Sequence, residues 1–387
     1  MFSAEIGDSF LIEVGNSIIN HILIDCGTAK AWKTNIYSTL IQICSALDLM
    51  VITHIDQDHI GGAIELFSPK VPHSLIIKEI WFNGLNQIFL DKLEESTPRE
   101  RQVLSTIIPP LSPAGIYSSD ISFSQGVTLS AVLHDLSQPW NTSFQGKAIS
   151  EQCPSIILDD SVEITPILPR VKDLEALFVG FQNELRQRES KIKFHNSPAL
   201  RDAFERFCYN DRPIFIESQN ISCCAKKDIP SLANTNVDSD RSLTNASSIG
   251  FVLKFQNHQA LFLGDTIPEA SIYALQHWEK QTGKILYFDV IKMPHHGSKR
   301  NCMELLDYVD SSLFIISSNG IQYDHPSPET IAKIVFRPTR QTRHIIFNYP
   351  HSVFKQFDDM GLMKKYNYSV SVANIVDVME ASHDRTT

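Results

Sequence analysis

The chain has 387 residues, 43% of them hydrophobic and 20% charged, which is the composition of a globular protein with one large domain or two ordinary ones. Its formal net charge of −10 excludes a global positive field, so any attraction for phosphate must be local or come from a bound metal. Seven cysteines without a CxxC pair, no signal peptide and no apolar run of membrane-spanning length predict a cytosolic protein with reduced thiols and no membrane partner.

The first segment, residues 1–85, alternates short apolar runs with turns. The pattern predicts a β-hairpin with strands at 10–14 and 21–24, and Asp25 follows the second strand. Further elements are expected as a helix over about 33–47, a strand at 49–52, a helix after Gly61-Gly62 and a strand at 76–82.

Residues 53–62 carry the strongest functional signal. Directly after an apolar run they hold four potential metal ligands, namely His54, Asp56, Asp58 and His59. Residues two apart on an extended chain point to the same side, so we expect His54, Asp56 and Asp58 to converge. Imidazoles and carboxylates suit Zn²⁺ or Mn²⁺ better than ions that prefer thiolates. The alternative is a polar turn in which these side chains cap backbone groups.

The middle segment, residues 86–243, has a different sequence pattern, with more predicted helix and a long polar stretch. A helix should begin at Thr97-Pro98, because Glu100 completes a capping box with Thr97. Strands are predicted at 127–133 and 162–168, one or two helices over 171–208, and a mobile loop over the polar residues 226–245. We interpret this segment as an insertion that covers the site or docks a protein partner, with some core strands.

The last segment, residues 244–387, returns to strands. A hairpin is predicted from 249–255 and 259–264, and further strands and helices are expected in the order 266–281 (helix), 285–293, 313–317, 327–336 (helix) and 345–347. Strands that alternate with helices at both ends of the chain predict two similar α/β halves within a single domain, residues 1–387.

Three more polar clusters follow apolar runs of the last segment. They are Gly264-Asp265, Pro294-His295-His296-Gly297-Ser298 and Tyr323-Asp324-His325-Pro326. Taken alone, each is also compatible with an ordinary turn, and metal or substrate binding competes with that interpretation.

Together these clusters resemble the metallo-β-lactamase fold superfamily, and within it the soluble nuclease domain of the ComEC/Rec2 family of competence-type DNA-uptake proteins. The matching elements, in chain order, are Gly7-Asp8, residues 23–27, residues 53–62, Asn245-Ala246-Ser247-Ser248, residues 263–265, residues 294–298 and residues 323–326. They leave residues 86–240 largely unmatched. The resemblance implies a four-layer αββα sandwich with metals at one edge of its two sheets.

The resemblance also implies two divalent ions, Zn²⁺ or Mn²⁺ with Mg²⁺ as a further option. His54 and Asp56 would hold one ion, Asp58 and His59 the second, and Asp265 would bridge them. His295 would complete the ligand set of the second ion. Asp25 would fix the tautomer of a ligand histidine from behind. Asn245 and Ser298 are expected in the same supporting layer.

One ligand of the broader superfamily has no clear counterpart here. A further histidine is expected between the first loop and Asp265, and His73, His134 and His195 are candidates by position only. Asn245 is the other candidate for that neighbourhood.

The catalytic hypothesis is hydrolysis by a hydroxide that two metal ions activate. Asp58 could orient it, and His296 and His325 are either phosphate contacts, leaving-group acids or structural residues. Lys299, Arg300 and Tyr323 are predicted to bind substrate. A groove that follows phosphates is predicted from the basic residues Lys299, Arg300, Arg337, Arg340 and Arg343.

Three functions are compatible with these residues. The leading interpretation is a nuclease or other phosphodiesterase that acts on DNA, with a role in phage defence as one hypothesis. The first alternative is a hydrolase of a small cyclic nucleotide, ester, thioester or lactam. The second is a regulatory or nucleic-acid-binding module with a vestigial metal site.

Overall fold

Two β-sheets and the helices around them carry the fold of this chain. The computed structural model describes residues 1–68, 74–89, 94–95, 97–107, 128–188, 194, 196–210, 228–278, 285–321, 325–339 and 341–378. Within these ranges the strands are β1 (Phe10–Val14), β2 (Asn20–Ile24), β3 (Ala46–Leu47), β4 (Leu49–Val51), β5 (Ile76–Ile77), β6 (Ile80–Trp81), β7 (Ile156–Ile157), β8 (Glu163–Leu168), β9 (Gly250–Phe255), β10 (His258–Phe262), β11 (Leu286–Lys292), β12 (Val309–Ile316), β13 (Arg343–Phe347) and β14 (Tyr368–Val372).

The helices vary widely in length. The α-helices are Ala29–Ala31, Tyr37–Ile43, Gln57–Leu66, Leu85–Ile88, Pro98–Ile107, Leu129–Asp135, Val171–Arg188, Pro198–Asn210, Ile229–Ala233, Leu243–Ala246, Pro268–Trp278, Lys299–Cys302, Pro328–Phe336, Ser352–Phe357 and Met360–Tyr366. No helix in the described ranges combines the length and the apolar character that crossing a membrane requires.

The first sheet has the strand order β1-β2-β4-β6. β1 and β2 form the predicted antiparallel hairpin, and β4 pairs in parallel with both β2 and β6. The strand predicted at 76–82 is divided, because β5 pairs with β3 in a separate two-stranded sheet whereas β6 joins the first sheet.

The second sheet has eight strands in the order β14-β13-β12-β11-β10-β9-β8-β7. The strands from β7 to β10 are antiparallel to their neighbours, and those from β10 to β14 are parallel. The middle segment supplies β7 and β8, so part of it is built into this sheet. The two halves are therefore mixed α/β structures of unequal size.

Alternating residues of the strands enter different hydrophobic clusters. In β2, Ile22 and Ile24 pack in a cluster that also contains Phe251 and Leu253 of β9, whereas Leu23 packs with helices such as Gln57–Leu66. A third cluster joins the second sheet to its own helices. The period of two is that of strands with both faces buried.

Several predicted elements differ from the structure. The strand predicted at 127–133 is wrong, because Leu129–Asp135 is a helix. Thr128 caps it by accepting a hydrogen bond from Ala131 N, and the Glu205 carboxylate accepts from the N–H groups of Leu129 and Ser130. These bonds satisfy first-turn donors that a helix leaves unpaired.

Two other boundaries also need correction. The helix expected over 33–47 begins at Ala29, contains a π-helical stretch at Trp32–Ile36 and ends at Ile43. The segment predicted as a mobile loop at 226–245 contains two short helices in its described part, Ile229–Ala233 and Leu243–Ala246. The capping box at Thr97 and Glu100 is confirmed by hydrogen bonds of 2.8 and 3.1 Å.

Candidate metal centre

The candidate ligands lie just beyond the carboxyl ends of strands in both sheets. Asp25 follows β2 and His54 follows β4, while Asp265 follows β10 and His295 and His296 follow β11. Parallel neighbours present their carboxyl ends at the same edge, which is where α/β proteins usually bind ligands. Topology therefore gathers side chains that are more than 200 residues apart in the chain.

The helix Gln57–Leu66 starts at this edge and brings in Asp58 and His59. Its two glycines allow a close approach to the loop after β2, since a Cβ on Gly62 would lie 2.2 Å from the carbonyl oxygen of Cys26. Because Asp58 lies in the first helical turn, the expected extended geometry from His54 to Asp58 is wrong for Asp58.

Asp265 lies at the centre of the site. Its Oδ2 atom is 3.3 Å from His59 Nε2, 3.7 Å from His296 Nε2, 3.8 Å from His295 Nε2 and 4.0 Å from His54 Nε2. Ligands that each lie about 2 Å from one ion are separated by distances of this order. The geometry therefore leaves room for metal ions between the four imidazoles and this carboxylate.

Each of these histidines uses its other ring nitrogen for a hydrogen bond. His59 Nδ1 contacts Asp25 Oδ2 at 2.8 Å, His295 Nδ1 contacts Asn301 Oδ1 at 3.0 Å, and His296 Nδ1 contacts the Ser317 carbonyl at 2.9 Å. All three partners are acceptors, so each Nδ1 carries a proton, and Nε2 is the nitrogen left to face a metal ion.

The hydrogen bonds of Thr53 indicate the same tautomer for His54. Its Nδ1 is 3.0 Å from Thr53 Oγ1, and that hydroxyl donates its single proton to Asp25 Oδ2 at 2.8 Å. The hydroxyl must therefore accept from His54 Nδ1–H. Asp25 thus orients both His54 and His59, which agrees with its expected supporting position.

The two adjacent histidines take different positions. His296 is buried, and its Nε2 is 3.5 Å from Asp58 Oδ2, so that Asp58, His59 and His296 form one possible metal group. His54, His59 and Asp265 form a second group, and Asp56 Oδ2 lies 3.6 Å from His54 Nε2. His295, expected to be a ligand of the second ion, is more exposed and lies on the side of His325.

The backbone at these residues is unusual. Asp25, His295 and His296 all have positive φ angles, of 55°, 46° and 55°. Residues other than glycine rarely adopt this left-handed region, and such strain is concentrated at functional sites. The turns therefore direct these three side chains towards the site, and the unusual backbone conformation costs energy.

Lys292 and Asp8 lie at the site, but the sequence interpretation assigned a role to neither, although Gly7-Asp8 is one of its matching elements. They form a buried ion pair beneath the ligands, and Lys292 Nζ lies 3.8 Å from Asp265 Oδ1. Asp8 Oδ1 is also 3.2 Å from His296 Nδ1. A lysine within the apolar strand β11 was the available signal, because a buried ammonium needs a partner.

The charges at the site are strongly coupled. Although burial opposes both shifts, Asp265 and Asp25 raise the pKa of His59, and the neighbouring histidines lower the pKa of Asp265 well below its usual value. Against the same opposition of burial, Asp8 and Asp265 raise the pKa of His296 to about 10. These directions favour protonated imidazoles beside the carboxylates, and an ion bound at the same nitrogens would have to displace those protons.

His325 lies beside His295, with ring centroids 5.4 Å apart. Burial, together with the charges of His295 and His296, lowers the pKa of His325 well below its ordinary value. A neutral imidazole can donate its N–H to a substrate oxygen, but it carries no additional proton for a leaving group.

The remaining predicted site residues are less central. Asn245 donates to Asp240 at 2.6 Å and Ser298 precedes the helix Lys299–Cys302. Lys299 is 3.6 Å from Glu329, and Arg300 Nη2 contacts the Ser239 carbonyl at 3.4 Å. Of the histidine candidates for the missing ligand, His134 is exposed and pairs with Asp135, and His73 and His195 lie outside the described residues. Tyr323, predicted to bind substrate, also lies outside them.

The predicted contribution of the later arginines to a phosphate groove is wrong for the described ones. Arg343 begins β13 and is buried, and it donates to both carboxylate oxygens of Asp310 at 3.0 and 2.7 Å. Arg337 binds the same aspartate and the carbonyl of Val309 at 2.6 Å. Both are thus at the amino ends of the strands, opposite the metal edge, and Arg340 lies outside the described residues.

Comparison with known families bears on the first part of the chain. No curated protein matches the sequence. The family model of the metallo-beta-lactamase superfamily matches residues 4–123, which include Asp8, Asp25 and the ligand cluster from His54 to His59. Residues 4–123 are thus similar to the metallo-beta-lactamase superfamily. Membership of that superfamily implies a hydrolase that depends on divalent metal ions such as zinc.

Proposed function

We propose that this chain is a hydrolase that holds two divalent metal ions and cleaves phosphodiester bonds, with DNA as its substrate. The observation that carries the proposal is the arrangement around Asp265, where four histidines direct Nε2 atoms at one carboxylate oxygen. The resemblance to the nuclease domain of DNA-uptake proteins supplies the substrate class.

The donor set fits divalent cations. Within the described residues, the buried Nε2 atoms of His54, His59 and His296 have no hydrogen-bond partner, although buried polar atoms normally have one. Nitrogen and carboxylate oxygen without thiolate favour Zn²⁺ or Mn²⁺, and the number of carboxylates keeps Mg²⁺ possible as a third option. A bound cation would satisfy these atoms.

We assign the ligands to two groups. His54, Asp56 and Asp265 would hold one ion, and Asp58, His59, His296 and Asp265 would hold the other. This revises the sequence-based assignment, because His296 replaces His295 beside Asp58. His295 remains at the open side of the centre, where it can serve an ion or contact substrate.

The proposed ions and the protein side chains have separate roles in the proposed hydrolysis. Divalent ions, when bound, lower the pKa of water towards neutrality and stabilise negative charge on the substrate. Asp25 holds two imidazoles in the tautomer that exposes Nε2. The Asp58 carboxylate can orient the attacking water. His325 can donate its N–H to a phosphate oxygen, and Lys299 adds positive charge at the same edge.

We also propose a four-layer αββα architecture, a protein partner and a role in phage defence. A four-layer αββα arrangement is supported by one hydrophobic cluster that contains residues of both sheets and two further clusters that join a sheet to helices. A protein partner on residues 86–243 and a role in phage defence stay predictions of the same proposal.

The experiment is a cleavage assay on metal-free protein reconstituted with Mn²⁺, Mg²⁺ or Zn²⁺. Plasmid DNA and a chromogenic phosphodiester are the substrates. We expect cleavage of both by the wild-type chain and a loss of roughly 100-fold or more in His59→Ala, which removes a ligand of the ion that Asp58 and His296 would also hold. His134→Ala, at an exposed histidine, is the matched control and should keep full activity.

Two results would contradict the proposal. Equal DNA cleavage by His59→Ala and wild type would mean that this site does not catalyse it. Turnover of the chromogenic ester without cleavage of DNA would favour the small-substrate hydrolase instead.

A further inference from the structure

Asp240, near the end of the middle segment, is buried against the metal centre. Its Oδ2 accepts hydrogen bonds from Asn245 Nδ2 at 2.6 Å and from Asn301 Nδ2 at 3.0 Å, and its Oδ1 accepts from Ser242 N at 3.0 Å. A buried carboxylate with this many donors is firmly held, because each bond offsets part of the cost of removing the charge from water.

The hydrogen bonds of Asn301 leave its amide only one orientation. Its Nδ2 faces three acceptors, namely Asp240 Oδ2 and the carbonyl oxygens of Asp265 at 3.2 Å and Thr266 at 3.0 Å. A flipped amide would place oxygen against oxygen at all three. Asn301 Oδ1 must therefore point to the other side, where His295 Nδ1 lies at 3.0 Å.

This orientation determines the state of His295. Because Asn301 Oδ1 can only accept, His295 Nδ1 carries the proton and its Nε2 presents a lone pair 3.8 Å from Asp265 Oδ2. The His295 side chain is 26% exposed, whereas those of His54, His59 and His296 are at most 2% exposed. His295 thus depends more on a polar restraint than on packing.

The segment that carries Asp240 is attached to the helix after the histidines. Asp240 N donates to the Arg300 carbonyl at 3.1 Å, Arg300 Nη2 donates to the Ser239 carbonyl at 3.4 Å, and Ser239 Oγ donates to Glu304 at 3.2 Å. These contacts keep the carboxylate in place relative to Asn301 and His295.

We propose that Asp240 is a positioning residue of the metal centre. It acts through Asn301 and through its own Oδ2, which lies 3.9 Å from His295 Nδ1, to hold His295 in the Nδ1–H tautomer with Nε2 directed at the ions. The relevance of this role to catalysis rests on the proposed hydrolase function. The end of the middle segment is then an integral part of the site and not only its cover.

The test compares Asp240→Asn with Asp238→Asn, which makes the same charge change at an exposed position two residues away. Histidine tautomers are read from ¹⁵N chemical shifts of metal-free protein at about pH 8.5, where ordinary imidazoles are neutral. His295→Gln identifies the His295 signal. The ¹⁵N signals of His59, whose Nδ1 contacts Asp25 Oδ2 at 2.8 Å, serve as the internal check that the site is folded.

We expect His295 to be protonated at Nδ1 in wild type and Asp238→Asn, and to gain the Nε2–H form in Asp240→Asn while His59 is unchanged. Competition with a chelator for Zn²⁺ should show an affinity lower by roughly 10- to 100-fold in Asp240→Asn alone. An unchanged His295 tautomer in Asp240→Asn overturns the positioning role.

The two proposals fail in different ways. If wild type binds no Zn²⁺ but Asp240→Asn still shifts the His295 tautomer, the hydrolase proposal is wrong and the orienting contact stands. If wild type binds Zn²⁺ and the His295 tautomer is the same in both variants, the role of Asp240 is wrong and the hydrolase proposal stands.

Discussion

Each histidine around Asp265 uses its two ring nitrogens for separate purposes. Nδ1 is bound to a hydroxyl, carboxylate, amide or carbonyl oxygen, and Nε2 points to the common centre. Because the supporting oxygens are buried and hydrogen-bonded themselves, the rings have little freedom to change tautomer. At the proposed metal centre, the supporting residues should therefore affect metal affinity almost as much as the ligands do.

Asp25→Asn tests this at the residue that supports two histidines. Asparagine tolerates the left-handed backbone of residue 25, but it offers only one acceptor oxygen where Thr53 N, Thr53 Oγ1 and His59 Nδ1 now converge. We expect Zn²⁺ affinity, measured by chelator competition, to fall roughly 10- to 100-fold.

The control for Asp25→Asn is Asp135→Asn, a carboxylate that is 74% exposed. It should bind Zn²⁺ as wild type does. Wild-type affinity in Asp25→Asn would show that the supporting contact is dispensable.

The sequence predicts candidate ligands that lie together in one stretch better than it predicts single site residues with distant partners. Residues 53–62 carry their signal in one stretch, whereas Asp8, Asp240 and Asn301 are single polar residues whose partners are remote in sequence. The choice between His295 and His296 depends on two successive positive φ angles, which sequence spacing does not reveal.

The helix Gln57–Leu66 is the element on which the ligand geometry depends most. Its glycines bring it against the loop after β2, where Cys26 N donates to the His59 carbonyl at 2.9 Å and Gly62 N donates to the Gly27 carbonyl at 3.0 Å. This contact brings Asp25 within hydrogen-bond distance of His59.

Gly62→Ala should disturb that contact. Its Cβ would lie 2.2 Å from the backbone oxygen of Cys26, so helix and loop must separate, at a cost of about 1–3 kcal/mol in the free energy of unfolding. Urea unfolding measures it. Gly361→Ala, in another helix, meets only a side-chain atom at 3.1 Å and should change stability by less than about 1 kcal/mol. Equal effects of the two substitutions would contradict the account.

The helix Leu129–Asp135 shows how a distant residue can decide local structure. An alternating sequence at 127–133 predicts a strand, but the buried Glu205 binds the first N–H groups of the helix. Nothing near residue 129 in the sequence indicates this partner, which comes from the helix Pro198–Asn210. The strand prediction is therefore wrong because a tertiary contact, the hydrogen bonds to Glu205, overrides the local sequence pattern.

Glu205 also predicts a pH dependence of stability. Burial raises its pKa from 4.5 to about 7, so its contribution to stability is fully present below pH 4.5 and is lost as the pH rises through 7. This group should make the free energy of unfolding roughly 2–3 kcal/mol larger at pH 5 than at pH 8. The measurement is urea unfolding at both values, in wild type and in Glu205→Gln, where this part of the pH dependence should disappear. An identical dependence in both proteins would contradict the assignment.

At the scale of the whole molecule, two sheets from distant parts of the chain share one functional edge. Alternating strands and helices in the end segments predict the two halves, and the hairpins at 10–24 and 250–262 follow directly from the sequence. The sequence does not predict that β7 and β8 extend the second sheet, or that Asp240 enters the site. Those contacts depend on long-range pairing, which local periodicity does not encode.

The most direct test of the central claim is the metal content of wild type and Asp265→Ala after equilibration with Zn²⁺ or Mn²⁺ and removal of unbound ions. We expect two ions per wild-type chain and the loss of at least one in Asp265→Ala, because one carboxylate oxygen faces every candidate ligand histidine. A wild-type chain without metal, or an Asp265→Ala chain with the full wild-type content, would contradict that claim.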